Sequence, residues 1–79
     1  MHIKEKLHLH LMKTYKLKLA RNNRYSLRSY AKFLAIDASL LCKIFNHKRA
    51  IGKETAEKIL NKIPDEELLK EFETYVKSA

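Results

Sequence analysis

The chain has 79 residues, 46% hydrophobic and 33% charged, with one glycine, one proline and one cysteine. This length excludes two independent cores, and the shortage of glycine and proline argues against hairpins and sheets. The lone Cys42 cannot form an internal disulfide, and no apolar run is long enough to span a bilayer or serve as a signal-peptide core, so we expect a soluble cytoplasmic protein.

The formal net charge of +8 is unevenly distributed along the chain. Residues 1–49 carry twelve Lys and Arg against Glu5 and Asp37, whereas residues 50–79 carry five Lys against seven acidic residues. A basic first part and a slightly acidic second part suit a protein that binds a polyanion with one face. A basic surface kept only for solubility would give the same charge, so charge alone does not decide between these interpretations.

Residues 3–20 contain two competing patterns. An apolar residue at every fourth position predicts a helix, while leucines that alternate with His and Lys resemble a strand. The midpoint lacks the Gly or Asn of a hairpin, so we predict a helix that ends in a left-handed residue at Asn22–Asn23. His2, His8 and His10 are expected to be solvated surface residues rather than a metal cluster.

The next segment carries clear helix signals. Ser26 is a suitable N-cap, and Tyr25 and Tyr30 can form a hydrophobic staple across it. The helix is expected to end near Ala35. Phe33 could be an exposed contact residue, but packing on the first helix is the favoured interpretation. The predicted buried stripe consists of Leu27, Tyr30, Ala31 and Leu34.

A third short helix is predicted after Asp37, which we expect to cap it in the same way as Ser26. Ile36 and Leu41 are its candidate staple. The residues expected to face inward are Leu41, Ile44 and Phe45. Those expected to face outward are Ala38, Ser39, Cys42 and Lys43.

Two further helices complete the prediction. The fourth runs from about Lys53 to Lys62 behind a Gly52 N-cap, and its buried side is Ala56, Ile59, Leu60 and Ile63. Pro64 is expected to break that helix and begin the last one, at about 65–77. The last helix has an apolar stripe, Leu68, Leu69, Phe72, Tyr75 and Val76, that could fold back on the core or form a dimer interface.

Residues 27–46 meet the requirements of a helix-turn-helix. Two short helices are separated by about three residues, with Ala31 where the helices must cross and Ala35 at the start of the turn. Apolar side chains at Ile36, Leu41 and Ile44 can seat the second helix on the first. We therefore expect residues 1–79 to form a single all-α domain of four to five helices, compact and built around this unit.

Residues 25–63 resemble the lambda-repressor/Cro-like (XRE-type) helix-turn-helix family of bacterial and phage regulators. The resemblance extends to a group of bacterial regulators with an N-terminal RYS-x-R-x-x-A motif, here RYSLRSYA at 24–31, and a helix containing TAEKI, here at 55–59. It implies the N-terminal DNA-binding domain of a transcriptional regulator that binds double-stranded DNA, usually as a homodimer. Two departures from the family are Ala35 and His47, which stand where glycine is usual.

The resemblance also implies roles for individual residues. The second helix of the unit would lie in the major groove and read bases through Ala38, Ser39 and Lys43, with Cys42 contributing. Phosphate contacts are expected from Ser26, Leu27, Arg28, Lys32, Asn46, Lys48 and Arg49. Independently of the family, Lys43 can donate to guanine and Ser39 can bond to several bases, while nearby cations, including Arg21 and Arg24, can neutralise phosphates.

Parts of the sequence are compatible with functions other than DNA binding. The same fold could serve as a protein-interaction module, such as an antitoxin-like or anti-regulator partner, that uses the last helix. Residues 1–21 could form a basic amphipathic membrane-surface segment, although their apolar stripe is needed for the core. Cys42 could be a redox sensor rather than a surface residue. No catalytic constellation, metal site, cofactor or small-molecule substrate is indicated.

Overall fold

The computed structural model describes residues 2–78, which form five α-helices and, within that range, no strand. The helices are α1 (Ile3–Arg21), α2 (Leu27–Leu34), α3 (Ala38–Phe45), α4 (Lys53–Lys62) and α5 (Glu66–Ser78). The prediction of a compact all-helical fold is confirmed. None of the helices between residues 2 and 78 is both long enough and apolar enough to cross a bilayer.

The first helix resolves the ambiguity between helix and strand. Ile3, Leu7 and Leu11 point into the core, whereas Leu9 and Leu17 are 55% and 60% exposed. This spacing follows one face of a helix, because alternate residues of a strand would all share one side of a sheet. α1 thus contributes a buried stripe against which both α3 and α5 pack.

The end of α1 agrees with the prediction in position but not in conformation. The helix ends at Arg21 with Asn22 as its C-cap, but Asn22 is extended (φ −147°, ψ 99°) and Asn23 has no positive φ, so the expected left-handed stop is wrong. The Asn22 side-chain oxygen accepts from the Arg24 amide at 3.1 Å, and its carbonyl oxygen accepts from the Tyr25 amide at 2.9 Å. Both bonds turn the chain locally, and the turn therefore needs no residue with positive φ.

Tyr30 links α2 to α1 from the inside of the molecule. Its side chain is fully buried, and its hydroxyl donates to the Leu11 carbonyl oxygen at 2.7 Å. Its ring stacks on Tyr15 at 5.1 Å and meets Tyr25 edge-on at 6.2 Å, the expected staple. Burial raises the pKa of Tyr30 far above its ordinary value, so the hydroxyl remains protonated and available as a donor.

The last helix folds back on the core. Leu68 and Phe72 are buried, and α5 packs against α1 and α4. The expectation that Pro64 begins this helix is wrong, because Asp65 holds the capping position and accepts from the Leu68 amide at 3.1 Å. Leu69, which belongs to the same apolar stripe, is 40% exposed.

Phe33 contacts the first helix without being buried. The ring is 39% exposed, and the Lys18 ammonium of α1 lies 4.1 Å from its centroid. The expected packing on α1 therefore takes the form of a cation–π contact at the surface.

The turn after α2 depends on a left-handed alanine. Ala35 has φ 60° and ψ 40°, and the Ile36 amide donates across it to the Ala31 carbonyl oxygen at 2.9 Å, a bond that ends the helix. This conformation is sterically strained for an L-residue, because its Cβ lies too close to the backbone, whereas glycine has no Cβ and adopts it without strain.

Ala35→Gly should therefore stabilise the protein by about 1 kcal/mol, measured as the free energy of unfolding in urea. Ala20→Gly is the matched control, because Ala20 is exposed within α1. There, glycine should destabilise the helix by about 0.5–1 kcal/mol. Destabilisation by both substitutions would contradict the left-handed assignment at Ala35.

Candidate nucleic-acid interface

α2 and α3 form a closely packed pair joined by a turn of three residues, 35–37. Ala31 of α2 is 2% exposed, small enough for α3 to pass close to the α2 backbone. On the α3 side, Leu41 and Ile44 are buried, and Ile36 in the turn belongs to the same core. The residues predicted to seat one helix on the other are thus all in the core.

The two helices begin differently. Ser26 caps α2 as predicted, since its hydroxyl oxygen accepts from the Ser29 amide at 3.0 Å. Asp37 occupies the corresponding position before α3, but its side chain makes no capping bond, so the prediction that it caps in the same manner is wrong. Its exposed carboxylate can still favour the helix start through the helix dipole.

The outer side of α3 is a continuous polar stripe. Ser39, Cys42, Lys43 and Asn46 are all exposed, and their spacing places them on one face of the helix. Ala38 is only half exposed and packs partly against the core. We call the four exposed residues the α3 stripe.

The side chain of Asn46 forms contacts at the end of α3. Its side-chain amide nitrogen donates to the Cys42 carbonyl oxygen at 3.0 Å and lies 3.5 Å from the Cys42 Sγ atom. The side-chain amide nitrogen is therefore engaged with Cys42 in this conformation. A phosphate contact from Asn46 would use the second amide hydrogen or would break this bond.

The segment that contains α2 and α3 is rich in cations that form no ion pair within residues 2–78. The only ion pair in that range joins Lys6 of α1 and Glu71 of α5 at 2.6 Å. Asp37 is the only acidic residue between positions 21 and 49. The exposed cations of this segment are Arg21, Arg24, Arg28, Lys32, Lys43, Lys48 and Arg49.

Two of the N-terminal histidines make specific contacts that the sequence prediction missed. His8 Nε2 lies 3.1 Å from the Ile44 carbonyl oxygen, and His10 Nε2 lies 2.7 Å from the Ile63 carbonyl oxygen. The expectation of solvated surface is therefore wrong for both, because each ring is partly buried at the end of another helix. Their positions three residues from Leu11 and Leu7, beside the buried stripe, were the available signal.

His2 is exposed and has a local role: its Nδ1 atom accepts from the Lys4 amide at 3.1 Å at the start of α1. Across residues 2–78, no three His, Cys, Asp or Glu side chains converge on a point where they could hold a metal ion.

Comparison with known proteins gives no relative from which a function could be transferred: no family model, curated protein or solved structure matches the chain significantly.

The two helix starts give a stability prediction. Ser26→Ala should lower the free energy of unfolding by about 1 kcal/mol, because the Ser29 amide loses its acceptor. Asp37→Ala removes no hydrogen bond and should cost less than Ser26→Ala, with only the dipole contribution at stake. Urea unfolding of both variants tests this order, and an equal or larger loss for Asp37→Ala would contradict it.

Proposed function

We propose that this protein binds double-stranded DNA in a sequence-specific manner and regulates transcription, with α3 in the major groove. The observation that carries this proposal is the exposed α3 stripe, which lies in a segment whose exposed cations form no ion pair within residues 2–78. A helix that exposes small and polar side chains can approach base edges closely. The resemblance to lambda-repressor-like regulators leads to the same function.

Within this proposal, Lys43 and Ser39 are the principal base-reading residues. Both are exposed on α3, and each offers hydrogen bonds that differ between base pairs. Cys42 lies between them on the same face and can contact a base edge. Ala38 is half buried, so its methyl group would touch DNA only at the margin of the interface.

The phosphate contacts fall on both sides of the α3 stripe. Arg28 lies in the first turn of α2, where backbone amides without intrahelical partners also favour an anion. Lys32 lies one turn further along α2. Lys48 and Arg49 follow α3 directly. These contacts would position the protein on the duplex and supply most of its affinity.

Binding to duplex DNA should weaken steeply with salt, because each neutralised phosphate releases counterions. If about four to six cations make contact, the slope of log Kobs against log [salt] should be about −4 to −5. Titration of a labelled random-sequence duplex at several salt concentrations measures this slope. The absence of measurable binding at low salt would overturn the proposal.

Single substitutions should separate base reading from phosphate contact. Lys43→Ala should weaken binding to a duplex selected from a random pool by about 1–3 kcal/mol more than binding to a scrambled duplex. Arg28→Ala and Arg49→Ala should weaken binding to both duplexes to a similar extent. Lys70→Ala, which changes an exposed lysine on α5, is the control and should alter neither.

Equal losses on both duplexes for Lys43→Ala would remove Lys43 from the base-reading set. A loss with Lys70→Ala as large as that with Arg28→Ala would indicate that only net charge matters.

A further inference from the structure

We propose that His8 is a positioning residue for the DNA-binding surface: from α1, it fixes the end of α3 and the basic segment 47–49 that follows. This inference rests on the proposed function, because positioning matters only if α3 and segment 47–49 contact DNA. The contacts themselves are intramolecular and can be tested without DNA.

The first contact is a hydrogen bond to the last turn of α3. The Ile44 carbonyl oxygen accepts from the His47 amide at 3.1 Å, and His8 Nε2 lies at the same distance from it. A carbonyl oxygen has two lone pairs, so the Ile44 oxygen can accept a further bond beside the one from the His47 amide. His8, 36 positions earlier in the chain, supplies it and thereby ties the end of α3 to α1.

The second contact is a ring stack. His47 has a positive φ of 57°, and its imidazole lies on that of His8 with centroids 4.3 Å apart and planes 19° from parallel. The Lys48 amide then donates to the Lys43 carbonyl oxygen at 2.8 Å, which closes the helix end. The stack therefore holds a residue in a rarely populated conformation immediately before Lys48 and Arg49.

The hydrogen bond determines which neutral tautomer of His8 fits this structure. A carbonyl oxygen can only accept, so Nε2 must carry a hydrogen, and in the neutral ring Nδ1 is then the unprotonated nitrogen. Nitrogen-15 NMR of the free protein at pH 8 distinguishes the two neutral forms. A proton found on Nδ1 of His8 would overturn the proposal.

His10 provides a matched control. It lies on the same helix and bonds in the same way to a helix-end carbonyl, but that carbonyl belongs to Ile63 at the end of α4, away from the α3 stripe. His10→Leu and His8→Leu each remove one such hydrogen bond. Only His8→Leu should alter the geometry of α3 and segment 47–49.

The experiment compares these variants on a duplex selected with the wild-type protein and on its scrambled counterpart. His8→Leu should weaken binding to the selected duplex about tenfold more than binding to the scrambled one, because the end of α3 loses both its hydrogen bond and its ring stack to α1. His10→Leu should leave the ratio between the two affinities unchanged. His8→Gln, which retains an N–H donor but no ring, should recover only the part of the loss that the hydrogen bond accounts for.

Thermal unfolding of each variant shows whether a change in binding merely reflects a loss of stability. If His8→Leu and His10→Leu change the duplex ratio equally, His8 is only structural and the inference is wrong. If the wild-type protein binds no duplex, the proposed function is wrong. Amide chemical shifts of the free protein then test separately whether His8 orders the end of α3 and segment 47–49. His8→Leu should shift the amides of residues 43–49, His10→Leu should not, and the absence of that difference would contradict the positioning role.

Discussion

The hydrogen bond from the Tyr30 hydroxyl to the Leu11 carbonyl is the interaction on which the candidate interface depends. It joins α2 to α1 inside the core, where no water can replace either partner, so its loss would leave a buried polar group unsatisfied. The rings of Tyr15 and Phe45 surround this bond, at 5.1 and 6.4 Å from the Tyr30 ring. Because Phe45 is the last residue of α3, the same cluster also fixes α3.

α1 therefore acts as the frame for the other helices. Toward its C-terminal end, Leu11 and Tyr15 hold α2. Nearer its N-terminal end, His8 contacts the end of α3, and Leu7 lies in the core. Helices as short as α2 and α3 are marginally stable on their own, so they depend on packing against the rest of the core. Contacts with the long first helix fix the orientation of α3 and hence of its exposed side.

Much of this arrangement could be predicted from local patterns. The apolar periodicity and the residues at the helix starts predicted α2 and α4 closely, because both signals lie within a few residues of the structure that they determine. The roles of His8 and His10 could not be predicted in this way, since their acceptors lie 36 and 53 positions away. Asp37 shows a further limit: a residue type that suits a helix start need not form the capping bond, because the residue type alone does not fix the side-chain conformation.

Because Lys6 and Glu71 form the single ion pair within residues 2–78, the stability of the folded state should depend on salt concentration in an unusual direction. Within residues 2–78, the folded state gains little from attraction between opposite charges, while the crowded cations of α1, α2 and the segment after α3 repel one another. Dissolved ions reduce that repulsion at distances beyond about 8–10 Å. Moderate ionic strength should thus raise the melting temperature of this protein, so a loss of complex formation under those conditions would not reflect unfolding.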